Sequence, residues 1–242
     1  WQNEAKDLLG TDVTRLLGYN PNGELEPFGS GRRFLVDPTI TRGRAWERFE
    51  KGHRVYHDMI TRRTIQDTIE SILGGGGKLI PTKDKVRYGI YWWERGDGMS
   101  PGADMSSGGA DYIFTRIGQG TPATLASGNR FVWRSRLLAR LDAISYSHDA
   151  YGRTIGDYVL SHRRNGIDGW KRCAVSGGNE TIFKGGLSIF DPNFEALIVS
   201  DDRTKREIIE IFRRHGYLTW PDGRRLEDVI VTTTEARQRQ WV

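Results

Sequence analysis

The chain of 242 residues has 36 lysines and arginines against 31 aspartates and glutamates, a formal charge of +5 that permits an acidic partner without requiring one. Its single cysteine, Cys173, excludes an intrachain disulfide and a four-cysteine zinc site. No apolar run approaches the roughly 18 residues that span a bilayer, and eight Trp, nine Tyr and nine Phe are ample for a packed core.

The first 45 residues are predicted to form an N-terminal extension or linker, and residues 46–242 the main domain. A turn signal at 20–23 and the flexible, basic segment 29–33 interrupt this region. It is either a strap packed on the main domain or a target-recognition arm that uses Arg32, Arg33, Arg42 and Arg44. Because the chain opens on Trp1 and shows no signal peptide, we expect a fragment or processed product whose localisation stays open.

The next elements alternate between short strands and helices. Val55-Tyr56-His57 predicts a strand, and residues 61–73 predict a helix that Thr61 or Thr64 caps and Gly74 ends. A glycine-rich turn leads to Leu79-Ile80-Pro81, and residues 85–93 form a further strand candidate. Residues 94–111 are rich in Gly, Ser, Asp and Pro, which indicates a long loop.

The second half of the chain is also predicted to alternate between short strands and helices. Residues 111–117 have the composition of a strand, and residues 131–145 predict either a strand followed by a helix or one amphipathic helix. Short apolar runs follow at 182–183 and 187–189, and residues 194–199 form a strand candidate. A helix begins after Ser200, with acids at its start and Gly216 as its stop. Irregular alternation of strands and helices favours an α+β fold over a doubly wound sheet.

The sequence does not satisfy two known motifs, the phosphate-binding loop and the helical zinc-binding histidine pair. The segment Gly74 to Lys78 lacks the Walker spacing, because Leu79 rather than Ser or Thr follows the lysine. His53 and His57 have the spacing of a helical zinc pair, but the intervening residues include no glutamate and the segment has strand character. We therefore predict no metal site.

Two segments about 120 residues apart carry the chemical argument. The first is His53-Arg54-Val55-Tyr56-His57-Asp58, followed by the helix and Gly-Gly-Gly-Gly-Lys-Leu-Ile-Pro-Thr (74–82). The second is Asn179-Glu180-Thr181-Ile182-Phe183-Lys184, followed by the strand at 194–199. Together they resemble the core of the mono-ADP-ribosyltransferases, which split NAD and pass on its ADP-ribose. The resemblance covers roughly residues 50–200.

This resemblance implies roles for two residues. His57 corresponds to the histidine of an aromatic-His pair on the first core strand, which hydrogen-bonds the ribose or carboxamide region of NAD. Glu180 corresponds to the glutamate that opens a later strand. Cleavage of the ribose–nicotinamide bond builds oxocarbenium character, which a fixed carboxylate stabilises, and the same carboxylate can take a proton from an acceptor.

Further NAD contacts are less sharply defined by the resemblance. Tyr112 is the choice for stacking on nicotinamide, with Thr115 and Tyr91 as rivals, although Tyr112 and Phe114 also fit as core aromatics. Arg62, together with Arg63, either meets the NAD pyrophosphate or faces water. The loop 94–111 would border the site and help to select the acceptor.

One difference from the family's motifs indicates which branch of the family this chain resembles most. Arginine-modifying members usually carry Glu or Gln two residues before the catalytic glutamate, whereas this chain has Gly178. The order His57, Tyr112, Glu180 is closer to the diphtheria-toxin-like and poly-ADP-ribose-polymerase-like branch, and Glu180 also resembles the lone glutamate of DNA-modifying members.

The resemblance implies an α+β catalytic domain over residues 46–242, in which two small antiparallel sheets with flanking helices hold NAD as a substrate. We expect an ADP-ribosyltransferase acting on a protein or nucleic-acid acceptor, of the toxin or effector type, with an inhibitory immunity or antitoxin partner. Three alternatives stay open: an NAD glycohydrolase, an RNA 2′-phosphotransferase-like enzyme, and a non-catalytic nucleic-acid-binding module.

The basic residues allow two interpretations. Arg134, Arg136, Arg140, Arg163 and Arg164 either form a solvated face or contact phosphates. In the second case Trp92, Trp93 and Trp133 would stack on bases.

Overall fold

The structure is a computed structural model that describes residues 42–59, 63–87, 109–140, 143–146, 162–176 and 179–239. Seven α-helices lie in these ranges: α1 Arg44–Gly52, α2 Ile65–Gly74, α3 Thr82–Arg87, α4 His162–Val175, α5 Asp202–Arg214, α6 Leu226–Val229 and α7 Thr233–Gln238. Two 3₁₀ helices cover Gly109–Asp111 and Ser135–Ala139.

Nine strands are present in the described ranges: β1 His53–Asp58, β2 Lys78–Leu79, β3 Tyr112–Gln119, β4 Arg130–Arg134, β5 Ile144–Tyr146, β6 Glu180–Lys184, β7 Leu187–Ser188, β8 Phe194–Val199 and β9 Ile230–Thr232. Seven of them form one sheet in the order β5-β6-β3-β1-β4-β8-β9. Neighbours in this sheet run antiparallel except β8 and β9, which are parallel. Strands β2 and β7 form a separate antiparallel ribbon.

Strand β3 joins two halves of the large sheet. Its first four residues, Tyr112 to Thr115, pair with β6, and its last four, Arg116 to Gln119, pair with β1. The two ladders therefore share a strand but no residue. The sequence predicts two small antiparallel sheets; in the structure the eight residues of β3 join two ladders into one seven-stranded sheet.

The main core lies between one face of the sheet and the helices. Trp46 and Phe49 of α1 pack there with Val55 of β1, and the rings of Trp46 and Trp170 meet edge to face at 5.4 Å. Helix α5, which packs beside β9, adds Ile208 and other apolar residues to this core. Burial of these large side chains is the dominant stabilising term of such a fold.

A smaller apolar cluster covers part of the opposite face. Leu125 and Ala126 pack there with Val132, Ile198, Val231 and Ala236, and Tyr56 lies against this cluster. Gly118 makes this packing possible, since a Cβ there would stand 2.6 Å from Leu125 and 2.7 Å from Tyr56.

Most predicted elements are confirmed. The mixed α/β composition agrees with the α+β prediction, and the strands predicted at 55–57 and 194–199 fall within observed strands. The strand predicted at 111–117 matches β3 except for Asp111, which ends a 3₁₀ helix, and the apolar run 182–183 lies within β6. Helix α5 begins after Asp201, whose carboxylate accepts a hydrogen bond from the Thr204 N–H at 2.8 Å. Thr64 caps α2 in the same way, through Asp67 N at 3.1 Å.

Two predicted elements need correction. The strand predicted at 85–93 is wrong for residues 85–87, which end helix α3, and its remainder lies outside the described residues. Residues 131–145 contain a strand, a 3₁₀ helix and a second short strand rather than one amphipathic helix. The glycine-rich turn packs against an aromatic ring: Gly77 has φ +75°, and a Cβ there would collide with Phe190.

Candidate functional site

The strands that carry His57, Tyr112 and Glu180 lie side by side as β1, β3 and β6, with β3 in the middle. Tyr56 stands opposite Arg116, and Thr115 stands opposite Thr181. One further residue along the second ladder brings Glu180 opposite Arg116. Residues directly opposite one another share a face of the sheet, so Glu180, Arg116 and Tyr56 form one row. We call it the Glu180 row.

The sheet opens beside this row, at His57. The β1–β3 ladder ends at Tyr56 and Arg116, whereas β1 continues along β4 as far as Asp58. Continued pairing would bring Asp58 opposite Phe114. Instead, the Phe114 carbonyl oxygen lies 2.7 Å from Nδ1 of His57. The imidazole thus occupies the fork where β3 leaves β1 to join β6.

The partner of Nδ1 fixes the tautomer of His57. A carbonyl oxygen only accepts, so Nδ1 carries the hydrogen and donates it, which in the neutral ring leaves the Nε2 lone pair as an acceptor. Burial lowers the pKa of His57, and the nearby Lys85 lowers it further, while the Phe114 carbonyl and Asp58 oppose them. The group is therefore held as a neutral imidazole that accepts through Nε2.

Glu180 is the first residue of β6, and Asn179 fixes its approach. The Oδ1 atom of Asn179 accepts from Ile117 N at 2.8 Å, and Nδ2 donates to Ile117 O at 3.1 Å and to Ser176 O at 2.7 Å. The buried carboxamide thereby connects β6 to β3 two positions beyond the last ladder pair, Thr115 and Thr181. Glu180 itself is partly exposed.

Two predicted contacts on β3 are placed differently by the structure. Thr115 is buried and its hydroxyl donates to Thr181 O at 2.6 Å, so it stabilises the strand pair and does not fit the predicted role as an NAD contact. Tyr112 shares the face of Glu180 but lies four residues, about 13 Å, from Arg116 along β3. Phe114, also partly exposed on that face, lies only about 7 Å away.

Other predicted site residues fall outside the described ranges: Arg62, Tyr91, Trp92, Trp93, and most of the loop 94–111. Arg163 and Arg164 lie in the first part of α4, where the structure describes the backbone alone up to residue 166. Among the described residues, no cluster of His, Cys, Asp or Glu could hold a metal ion.

Arg140 fits neither of the two interpretations of the basic residues, the solvated face or the phosphate contact. Arg140 is buried and donates to the carbonyls of Gly186 and Lys184, both at 3.2 Å. Trp133 is also buried and donates from Nε1 to Ser188 O at 3.1 Å, so it offers no surface for base stacking. Arg136 is exposed but pairs with Glu50 at 3.0 Å.

Three residues of this site escaped sequence reasoning as functional groups: Arg116, Phe114 and Asn179. Their positions depend on the register between β6, β3 and β1, which no local pattern determines. The only local signal was Asn179 itself, a polar residue directly before the candidate glutamate.

Comparison of the chain with protein-family models, with curated proteins and with solved structures finds no match in any of the three. In the described part of the chain, no helix combines the length and apolar character that a membrane span requires.

Proposed function

We propose that this protein is an NAD-dependent ADP-ribosyltransferase that transfers ADP-ribose from NAD to a macromolecular acceptor and releases nicotinamide. The observation that carries the proposal is the fork at His57. The histidine acceptor lies on β1 and the glutamate on β6, the two strands that flank β3. Because side chains alternate along β1, His57 extends from the face of the sheet opposite to that of Tyr56 and Glu180. The two ladders that meet at β3 support the split-sheet architecture of that family.

His57 would bind the ribose of NAD. Its Nε2 lone pair accepts a hydrogen bond, and a ribose hydroxyl is a donor of the required kind. Because the Nδ1 hydrogen bond and the stack on Phe131 fix the ring, the acceptor is oriented before NAD arrives. The imidazole anchors the substrate and forms no bond to it.

Glu180 would stabilise the reaction at the anomeric carbon. The C1′–N bond breaks, its electron pair leaves with nicotinamide, and positive charge develops on the ribose. A carboxylate fixed beside the ring stabilises that charge. The acceptor then attacks C1′ and loses its proton, which Glu180 can take. Arg116, next to Glu180 in the row, would attract the pyrophosphate that the sequence assigned to Arg62.

Phe114 would provide the aromatic surface for nicotinamide. It lies on the face of Glu180, one pleat from Arg116, whereas Tyr56 is already covered by Arg130, whose guanidinium carbon stands 4.3 Å from the ring centre. Tyr112 would line the outer rim. A toxin or effector role follows from the family resemblance alone.

The decisive experiment measures nicotinamide release from NAD by the wild-type protein and by Glu180→Ala, with and without cell lysate. We expect release that lysate increases, and a loss of at least about a hundredfold in the variant. A matched control is Glu210→Ala, which removes an exposed carboxylate that pairs with Arg213 on α5.

Circular dichroism must show that both variants are folded. Release that does not respond to any acceptor would identify an NAD glycohydrolase instead. Equal activity of wild type and Glu180→Ala would contradict the proposed role of Glu180, and no NAD consumption under any condition would refute the proposal.

A further inference from the structure

The exposed cations of this protein fall into two groups. Around α5 and α6 most of them are neutralised by neighbouring carboxylates: Arg203 pairs with Glu207, Arg213 with Glu210 and Glu227, Arg224 with Asp222, and Arg225 with Asp228. On α1, in contrast, the exposed Arg44, Arg48 and Lys51 form no ion pair with any described residue. Three cations without an ion pair therefore lie close together on one short helix.

These three α1 cations form a stripe. Their spacing of four and three residues brings them to one side of the helix, opposite the buried Trp46 and Phe49. Further cations lie on the elements that contact α1. The exposed Lys171 and Arg172 belong to α4, which packs on α1 through Trp170, and Arg136 reaches Glu50 at 3.0 Å. We call these six residues the α1 surface.

Carboxylates offset this charge only in part. Glu47 is exposed on α1, Glu50 pairs with Arg136, and Asp168 lies 3.6 Å from Lys171. Six cations minus these three carboxylates leave a net charge of +3 on the surface. Four of the six cations are arginines, whose planar guanidinium suits bidentate contact with phosphate.

The other side chains of the α1 surface narrow the choice of ligand. Its aromatic residues, Trp46, Phe49 and Trp170, are buried, so the described part of the surface offers no platform for unpaired bases. The exposed α1 side chains also include no hydroxyl or amide that would recognise a ribose 2′-hydroxyl. A nucleic acid would then be bound mainly through its phosphates. Duplex DNA presents these densely, with one negative charge per about 1.7 Å of its axis.

We propose that the α1 surface binds the phosphate backbone of duplex DNA. Helix α1 leads directly into β1, and Lys51 is five residues, at most about 17 Å, from Tyr56 of the Glu180 row. A duplex bound at α1 would therefore extend past the fork within one helical turn, about 34 Å. That this DNA is also the ADP-ribose acceptor rests on the proposed function; the binding itself does not.

The test is fluorescence anisotropy with a labelled 20-base-pair duplex at salt concentrations between about 50 and 200 mM, without NAD. Each phosphate contact contributes a slope of about −0.9 in log K against log salt. We expect the full chain to bind with a steep negative slope. The variant R44E/R48E/K51E should bind at least about tenfold more weakly, with a slope shallower by about 3.

The control R203E/R206E/R225E changes the net charge by the same amount on α5 and α6, and it should bind as the wild type does. Glu180→Ala should also bind normally, which separates failure of DNA binding from failure of NAD turnover. Wild-type affinity of the folded α1 variant, or an equal loss in the control, would overturn the proposal. So would tighter binding of single-stranded DNA, duplex RNA or polyglutamate than of duplex DNA.

Discussion

At the scale of single residues, Asn179 is the group on which the geometry of the proposed site depends most. Its carboxamide makes three hydrogen bonds to backbone groups, two of them to Ile117, and it is only 3% exposed. Without it, the N–H and carbonyl of Ile117 would lose their partners directly beside Glu180. We therefore assign Asn179 the role of a positioning residue.

Asn179→Ala should lower kcat for nicotinamide release by about ten- to a hundredfold, since small displacements of a catalytic group have large effects. The KM for NAD should change much less, because the variant leaves His57 and its partner in place. The loss of buried hydrogen bonds should also destabilise the fold by about 1–3 kcal/mol. Steady-state kinetics and thermal melting measure both effects.

Asn193→Ala is the matched control, since Asn193 bonds Asp191 in the turn before β8, away from the fork. An unchanged kcat in folded Asn179→Ala would contradict the positioning role. If the wild-type protein turns over no NAD, the hydrogen bonds between Asn179 and Ile117 can still be tested by themselves. Their loss in Asn179→Ala should accelerate hydrogen exchange at the Ile117 amide.

His57 predicts a pH dependence of NAD binding. Its pKa in the folded protein lies below the ordinary histidine value of about 6.5, because burial opposes the charged form. Protonation removes the Nε2 acceptor, so NAD affinity should be full above pH 6.5 and fall as the pH drops below it. The same neutral form stabilises the fold above pH 6.5, and that contribution is lost as the pH falls from 6.5 through the folded pKa.

Titration calorimetry with NAD across this range measures the effect. His57→Gln should flatten the pH profile, whereas His53→Gln should preserve it. His53 is a close control: its pKa is also lowered, mainly by burial, and its Nδ1 also bonds a carbonyl, that of Phe49 at 2.9 Å. A profile that His53→Gln abolishes and His57→Gln retains would contradict the assignment.

At the scale of elements, the sequence predicts best where a local signal determines the structure. Helix α5 is an example, because Asp201 caps its start, isoleucines recur at helical spacing and Gly216 follows its end with φ +85°. The start of β6 at Glu180 and the cap at Thr64 belong to the same class. In each case the determining atoms lie within a few residues of one another.

The arrangement of the strands could not be predicted in this way. That β3 pairs with β6 over one half and with β1 over the other depends on contacts about 60 residues apart in sequence. This register brings Arg116 between Glu180 and Tyr56 and leaves Tyr112 at a distance. Helix α3 was not predicted, because Lys85 to Arg87 alternate weakly like a strand. In the structure, Thr82 to Arg87 form a short helix after Pro81.

At the scale of the whole molecule, the two halves of the sheet share one core. Phe183 of β6, Trp133 of β4 and Phe212 of α5 belong to the same buried cluster, although they lie in different halves of the sheet or on its helices. A fork that opens between two ladders can bind a ligand without separating the protein into two folding units, because this cluster continues beneath it.

Phe183→Ala tests this continuity. Phe183 is fully buried on β6 and belongs to the half of the sheet that lies farther from α5. Its truncation should lower the free energy of unfolding by about 3–5 kcal/mol. If the core unfolds as one unit, the most protected amides of α5 exchange only when the whole protein unfolds. Their exchange rate should then rise about tenfold for each 1.4 kcal/mol lost from the free energy of unfolding.

Leu218→Ala, at a side chain that is 77% exposed, should leave both measurements unchanged. If Phe183→Ala accelerates exchange only in β5 and β6 while α5 keeps its protection, the two ladders unfold separately. The fork at His57 would then be a boundary between two units. Hydrogen exchange with and without NAD would show which unit's opening destroys the site, because a ligand that binds only the intact site slows the exchange of every opening that abolishes binding.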